Sequence, residues 1–262
     1  MAEMFGVDPE LLRSVLAFDK ANPLLFNTGL FMLLFAAFIG LYKLVERCRI
    51  AKMLLVILFS LYFYYKSSAG YCFILLGVCV ADFVVGLLLG MSERRWIRRF
   101  WVFVNVLVNV GMLVWFKYFN LLYETFANIT STAFDPLDIV LPAGISFFSF
   151  RSISYIVDIY RREMEPCRNF LDYTFYLTFF PPLLAGPVVR AKDMLPQVAG
   201  NPVATRAMSG EGLFLIIMGL VKKVVVADYL SGNFVDRIFD NPSLYSGFEN
   251  LMGAYGFTIQ LY

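Results

Sequence analysis

The residues able to do chemistry are few, and the first constraint is a missing one. The 262-residue sequence contains no histidine, so the commonest general acid/base and metal ligand is not available. The four cysteines, Cys48, Cys72, Cys79 and Cys167, form no C-x-x-C pair. They suggest neither a zinc site nor a disulfide framework. No phosphate-binding glycine loop, nucleophile elbow or metal-ligand cluster is present. No catalytic residue is therefore assigned, and no bound cofactor or metal is expected.

Polar chemistry concentrates in Leu141–Tyr160. Ser146, Ser149 and Ser152 recur every third residue, which puts three hydroxyls along one helix face with Arg151 beside them. Asp158 follows on roughly the same face, two turns on. A cation at membrane depth is costly and normally faces a partner or a wet cavity. One reading is a tunnel wall that meets a polar or anionic substrate. The other is helix packing, the commoner use of serine in membrane helices, with Arg151 neutralised by an acid. Asp82 lies within another apolar run as an ion relay or as the counter-charge to Arg151, the ion pair being favoured. Lys222, Lys223 and Asp228 interrupt a later apolar run. The spacing of Lys223 and Asp228 is too long for an i,i+4 pair, so the lysines are read as snorkelling to an interface.

The elements that carry these residues are membrane helices. Hydrophobic residues make up 60% of the chain and charged residues 16%, against about half and a quarter in soluble domains. The apolar residues fall in continuous blocks without strict alternation, so the fold class is all-α, a polytopic helical bundle. Spans are predicted at 24–42, 53–65, 71–91, 102–119 and 139–160. A polar connection is predicted at 120–137. The block 170–189 contains Pro181-Pro182 and Gly186-Pro187, and prolines remove backbone donors, so it is read as a broken, re-entrant segment. A loop to about 210, a helix at 211–230 and a final apolar block at 248–262 complete the chain. That block runs to the last residue without a polar tail, which reads as a truncation.

Residues 1–23 form a separate amphipathic segment, with a surface helix opened by Asp8-Pro9; the membrane domain is 24–262. The N-terminus lacks a basic-then-apolar start, so no cleavable signal peptide is expected. Lys43, Arg47, Arg49 and Lys52 follow span one, Arg94, Arg95, Arg98 and Arg99 follow span three, and Arg161, Arg162 and Arg168 follow span five. The intervening turns hold Lys66 alone. By the positive-inside rule the basic turns are cytoplasmic and the N-terminus is outside. A net charge of only +2 gives no nucleic-acid footprint.

Two motifs, Leu141-Pro-Ala-Gly-Ile-Ser-Phe-Phe-Ser-Phe-Arg151 with Asp158-Ile-Tyr-Arg161, and Phe179-Phe-Pro-Pro-Leu-Leu-Ala-Gly-Pro-Val-Val-Arg190, resemble the membrane-bound O-acyltransferase superfamily. The resemblance is to its bacterial alginate O-acetylation and teichoic-acid D-alanylation branch, and it reaches from about residue 24 to Tyr255–Tyr262. It implies the N-terminal half of a helical ring around a tunnel. An acyl group, acetyl by expectation, would pass from a cytoplasmic thioester (acetyl-CoA or an acyl carrier) to a cell-surface polysaccharide hydroxyl or a relay protein. The expected partners are the bilayer, the C-terminal half of the same protein, and an extracytoplasmic acetyltransferase or acyl-carrier protein. The expected location is the inner membrane. Arg151, Gly186, Pro187 and Arg190 match the family's motif positions and are read as tunnel-shaping or substrate-adjacent, and on the tunnel-wall reading Ser146, Ser149 and Ser152 join them. The resemblance puts the catalytic histidine beyond Tyr262 and the isolated chain as inactive. A transporter using Asp82 and Arg151, or a non-catalytic fragment, are the alternatives.

Overall fold

A computed structural model describes residue 18, residue 24, residue 26 and residues 28–130, 132, 135–184, 186–200 and 204–261. The surface helix expected from Asp8 lies outside the described residues. The described residues are helical, with no strand among them. Contacts divide the chain into two compact units, Met1–Pro202 and Val203–Tyr262.

The first unit begins with α1 (Gly29–Val45), whose first turn is capped by the Thr28 hydroxyl accepting from the Phe31 amide at 3.3 Å. Next comes α2 (Arg49–Ser68), then α3 (Cys72–Met91). A left-handed Ala69 (φ 49°) breaks the run between them. Without that break, the 43 residues from Arg49 to Met91 would make one rod roughly 65 Å long, about twice the hydrocarbon thickness. Next is α4 (Arg95–Leu113), which passes through a π-helical turn (Val114–Tyr118) into α5 (Phe119–Thr130). The polar connection predicted at 120–137 is thus helical as far as Thr130. No glycine or proline stands before Pro136 to stop the helix, and Leu121, Leu122, Phe126 and Ile129 keep an exposed apolar surface on it. Span five begins later than predicted, at Ile145 (α6, Ile145–Tyr160), because Pro142 and the left-handed Gly144 hold the preceding residues out of the helix.

Side-chain contacts fix the direction of each helix. Arg98, at the start of α4, donates to the carbonyls of Leu89 in the last turn of α3 and Ser92 just after it, and of Ile159 and Tyr160 at the end of α6. Arg49 binds Asp172 through both carboxylate oxygens at 2.8 and 2.9 Å. The basic turns after α1, α3 and α6 therefore lie at one end of the bundle. At the opposite end the Ser68 hydroxyl accepts from the Ala143 amide at 2.8 Å, and the Tyr71 and Phe116 rings meet at 5.6 Å. Helices α2, α3, α4 and α6 consequently alternate up and down. Large apolar side chains face outward along them, including Leu58, Phe73, Phe103 and Leu107, as lipid-facing surfaces do. This is an all-α membrane bundle.

The second unit is a helix hairpin. The Thr205 hydroxyl caps α9 (Arg206–Val221); the loop predicted to about 210 and the helix end predicted at 230 are both corrected, since helix continues to Asp240 through two π-helical stretches, Lys222–Ala227 and Ser231–Val235. The second arm, α10 (Gly247–Leu261), packs Gly253 and Gly256 against Ile238 and Val235. The π winding also corrects the reading of Lys223. With a wider turn, residues five apart share a face, and Lys223 forms an ion pair with Asp228.

Candidate functional site

The block 170–190 enters and leaves by the basic end. It starts as α7 (Phe170–Thr178), capped by Asn169 accepting from the Leu171 amide at 3.0 Å. The Phe170 ring packs on Phe83 at 5.3 Å, and Asp172 pairs with Arg49, so α7 rises from the basic end. Pro181-Pro182 stops the helix, because neither residue has an N–H to donate. The chain then returns without helix to Arg190, which forms an ion pair at 3.2 Å with Asp158 near the basic end of α6. There α8 (Ala191–Gly200) begins.

Unwinding a helix inside a membrane strands backbone groups that water cannot reach, and buried side chains supply the partners. The Ser60 hydroxyl accepts from the Phe180 amide at 3.2 Å and donates to the Val56 carbonyl at 2.7 Å. Arg151, fully buried, donates to the carbonyls of Tyr176 and Leu177, which the break leaves without helical partners, and its guanidinium lies 4.5 Å from the Tyr176 ring centre. The Tyr176 hydroxyl donates to the Val189 carbonyl at 3.1 Å. Phe180 anchors the tip in a ring cluster with Phe31, Phe38, Phe59 and Phe63, centroids 5.1–6.5 Å away. At the far end the segment touches α6 so closely that a Cβ on Gly144 would stand 2.3 Å from the Leu183 carbonyl oxygen.

A cavity of about 600 Å³ opens beside this segment toward the basic end. Phe175, Phe179 and Pro187 form apolar walls, and Tyr42, Arg49 and Lys52 form a polar, cationic side. Arg49 and Lys52 thus line a mostly apolar hollow that Asp193 and Gln197 also border. Beyond it, outside the membrane helices, Lys192 donates to Glu163 at 2.8 Å; that bond and the ammonium charge hold the Glu163 carboxyl below its ordinary value.

The residues singled out in the sequence fall into three places. Pro187 lines the cavity, and Gly186 (φ 136°) makes the turn before it. Ser149, Arg151 and Ser152 are fully buried between helices, while Ser146 is half-buried. Arg190 and Asp158 hold each other. The favoured pairing of Asp82 with Arg151 is corrected: none of the ion pairs among the described residues involves either one. Arg151 is taken up by the carbonyls freed in the break, and Asp82 by three uncharged donors, Asn105, Ser152 and Tyr173, at 2.6–2.8 Å. Asn105, Asn109, Tyr173 and Tyr176 are not singled out by the sequence, and Arg98 is read there only as part of a basic turn. The i,i+4 spacing of Asn105 and Asn109 in an apolar helix was the available signal, since amides at membrane depth require partners.

Comparison with known proteins gives homologues over nearly the whole chain. It is 30% identical to the peptidoglycan O-acetyltransferase of Helicobacter pylori over 96% of this chain and 53% of that protein. It is 35% identical to a Pseudomonas aeruginosa protein named "Probable alginate O-acetylase AlgI" over 91% of this chain and 46% of that protein. A protein of the same name from Azotobacter vinelandii is 34% identical, over 91% and 48%. The chain spans about half the length of these curated relatives. No protein-family model matches it, and no solved structure matches it.

Proposed function

We propose, from the premise that this chain is homologous to bacterial O-acetyltransferases of the membrane-bound O-acyltransferase family, that it builds the donor side of such an enzyme. The acyl group, acetyl by the names of the relatives, arrives on a cytoplasmic thioester, acetyl-CoA or an acyl carrier. The acceptor is a hydroxyl of a cell-surface polysaccharide or a relay protein. The chain resides in the inner membrane, with its basic end cytoplasmic and its N-terminus outside.

The observation that carries this reading is the unwound segment Phe179–Arg190 beside a cavity on the basic end. Irregular backbone at membrane depth is tolerated where it is buried in protein or lines a cavity, and this segment has a cavity beside it. Lys52, beside an Arg49 already held by Asp172, suits the phosphates of a coenzyme A or phosphopantetheine arm, and the apolar walls suit the thioester end. In the transfer, the thioester C–S bond breaks and an ester C–O bond forms. The acceptor hydroxyl gives up its proton and the carrier leaves as a thiol. No histidine stands in these 262 residues; the family resemblance puts the proton-accepting histidine in the C-terminal half.

The test is acetyl transfer in inverted membrane vesicles supplied with labelled acetyl-CoA or acyl carrier. One sample carries the 262 residues alone, the other a form extended to the length of the relatives. Labelled ester on polysaccharide or relay protein is expected from the extended form only. A folded extended form that transfers no label from either donor would refute the proposal.

A further inference from the structure

Charges of both signs line a small cavity at the basic end without meeting one another. Its volume is about 240 Å³, and it lies where α3 ends, α4 begins and the chain leaves α6. Gly90 and Pro166 line it and close on each other, since a Cβ on Gly90 would stand 2.5 Å from Pro166 Cγ. Arg98 lines it at 7% exposure. Carbonyls take all four of its Nη hydrogens, so no anion compensates its charge. Glu93, Arg162 and Glu165 complete the charged lining, with no side-chain hydrogen bond or ion pair to any described residue. Arg162 has φ 62° just past α6, a position where glycine closes a helix without strain.

Two guanidinium groups and two carboxylates thus border one hollow, and none lies within 4.0 Å of an opposite charge. A simple anion there would meet the two carboxylates, and a simple cation would meet the two guanidinium groups. A small zwitterion satisfies both signs: its phosphate takes the Arg162 fork, and its ammonium donates to Glu93 and Glu165. The cavity lies just past the ends of membrane helices, at the depth of lipid headgroups. Beside it Trp96, 68% exposed, marks the bilayer surface. From there α4 presents Phe100, Phe103 and Leu107 outward, a surface for the acyl chains of a lipid whose headgroup fills the hollow.

We propose that the cavity bordered by Glu93, Arg98, Arg162 and Glu165 binds the phosphoethanolamine headgroup of a membrane lipid, clamping the ends of α3, α4 and α6 together. The site shares no lining residue with the donor cavity and requires nothing of the acyl-transfer reading.

The experiment uses the full 262-residue chain in phosphatidylcholine nanodiscs, its unfolding midpoint followed by tryptophan fluorescence. Phosphatidylethanolamine or phosphatidylglycerol is added in rising proportion. Phosphatidylethanolamine at about ten times its half-saturating content should raise the midpoint by about 3–5 °C. Phosphatidylglycerol, which has no ammonium, should not. Arg162→Gln and the double variant Glu93→Gln, Glu165→Gln should each abolish the shift, while Arg168→Gln, a cation outside the cavity, should keep it. Soluble phosphoethanolamine added to phosphatidylcholine nanodiscs should give no shift; one as large as the lipid's would keep the site but overturn the lipid as its source. Equal midpoints in phosphatidylcholine and phosphatidylethanolamine would overturn the site. So would an equal rise with phosphatidylglycerol, which would assign the effect to the positive charge of this end, or an undiminished response in the cavity variants.

Discussion

Gly144→Ala should unfold the first unit or lower its stability by about 3–5 kcal/mol, the range reserved for disrupted cores. Two costs combine at this position. Gly144 has φ 70°, a region that costs a residue with a Cβ roughly 1–2 kcal/mol. The added carbon would also stand 2.3 Å from the Leu183 carbonyl oxygen and 3.1 Å from Leu184 Cα. Both are backbone atoms, so no rotamer change relieves the overlap. Gly186→Ala is the control: its φ is 136°, but the nearest atom to an added Cβ is 3.8 Å away, leaving conformational strain alone. Unfolding in mixed micelles, read by tryptophan fluorescence, should separate the two variants clearly. A Gly144→Ala variant as stable as the parent would mean that contact between α6 and the re-entrant tip contributes nothing.

Arg151→Met should cost about 2–4 kcal/mol, and Arg151→Lys nearly as much. Methionine restores most of the volume but donates nothing, so two buried carbonyls, Tyr176 and Leu177, lose their partner at roughly 1–3 kcal/mol each before relaxation. Lysine keeps the charge but is a point donor without the planar fork that spans two carbonyls and stacks on the Tyr176 ring. Stability by the same unfolding assay, with protease cleavage within Phe179–Arg190 as a local readout, checks this. The unwound segment should become the first site cut in Arg151→Met. A variant as stable and as protected as the parent would show that the broken helix does not rely on Arg151.

What the sequence made legible follows from which forces act locally. The third span was predicted at 71–91 and observed at Cys72–Met91, because the apolar run ends sharply in polar residues. The break after Thr178 was legible because proline lacks an N–H whatever surrounds it. The sequence could not tell where the released carbonyls would find donors: Arg151 is 25 and 26 residues away from them, and only tertiary packing gives Arg151 these carbonyls in place of Asp82. The same holds for Arg190, read as substrate-adjacent, whose partner is Asp158. Lys223 and Asp228 were misjudged for a local reason, since the i,i+4 rule assumes α winding and these residues lie on a π turn. The extension of helix to Thr130 was hidden by polar residues on one face of a segment whose other face stays apolar.

Blocking the cavity beside Phe179 and Pro187 is the most direct test of the proposed thioester entry. Val189 forms part of its wall, and Val189→Trp puts an indole into the hollow while leaving Arg49, Lys52 and Arg151 in place. In the extended form, with transfer from labelled donor measured over a range of donor concentrations, kcat/KM should fall at least tenfold while the unfolding midpoint stays within a few degrees of the parent. An unchanged kcat/KM in a variant shown to fold would contradict entry of the thioester at this cavity.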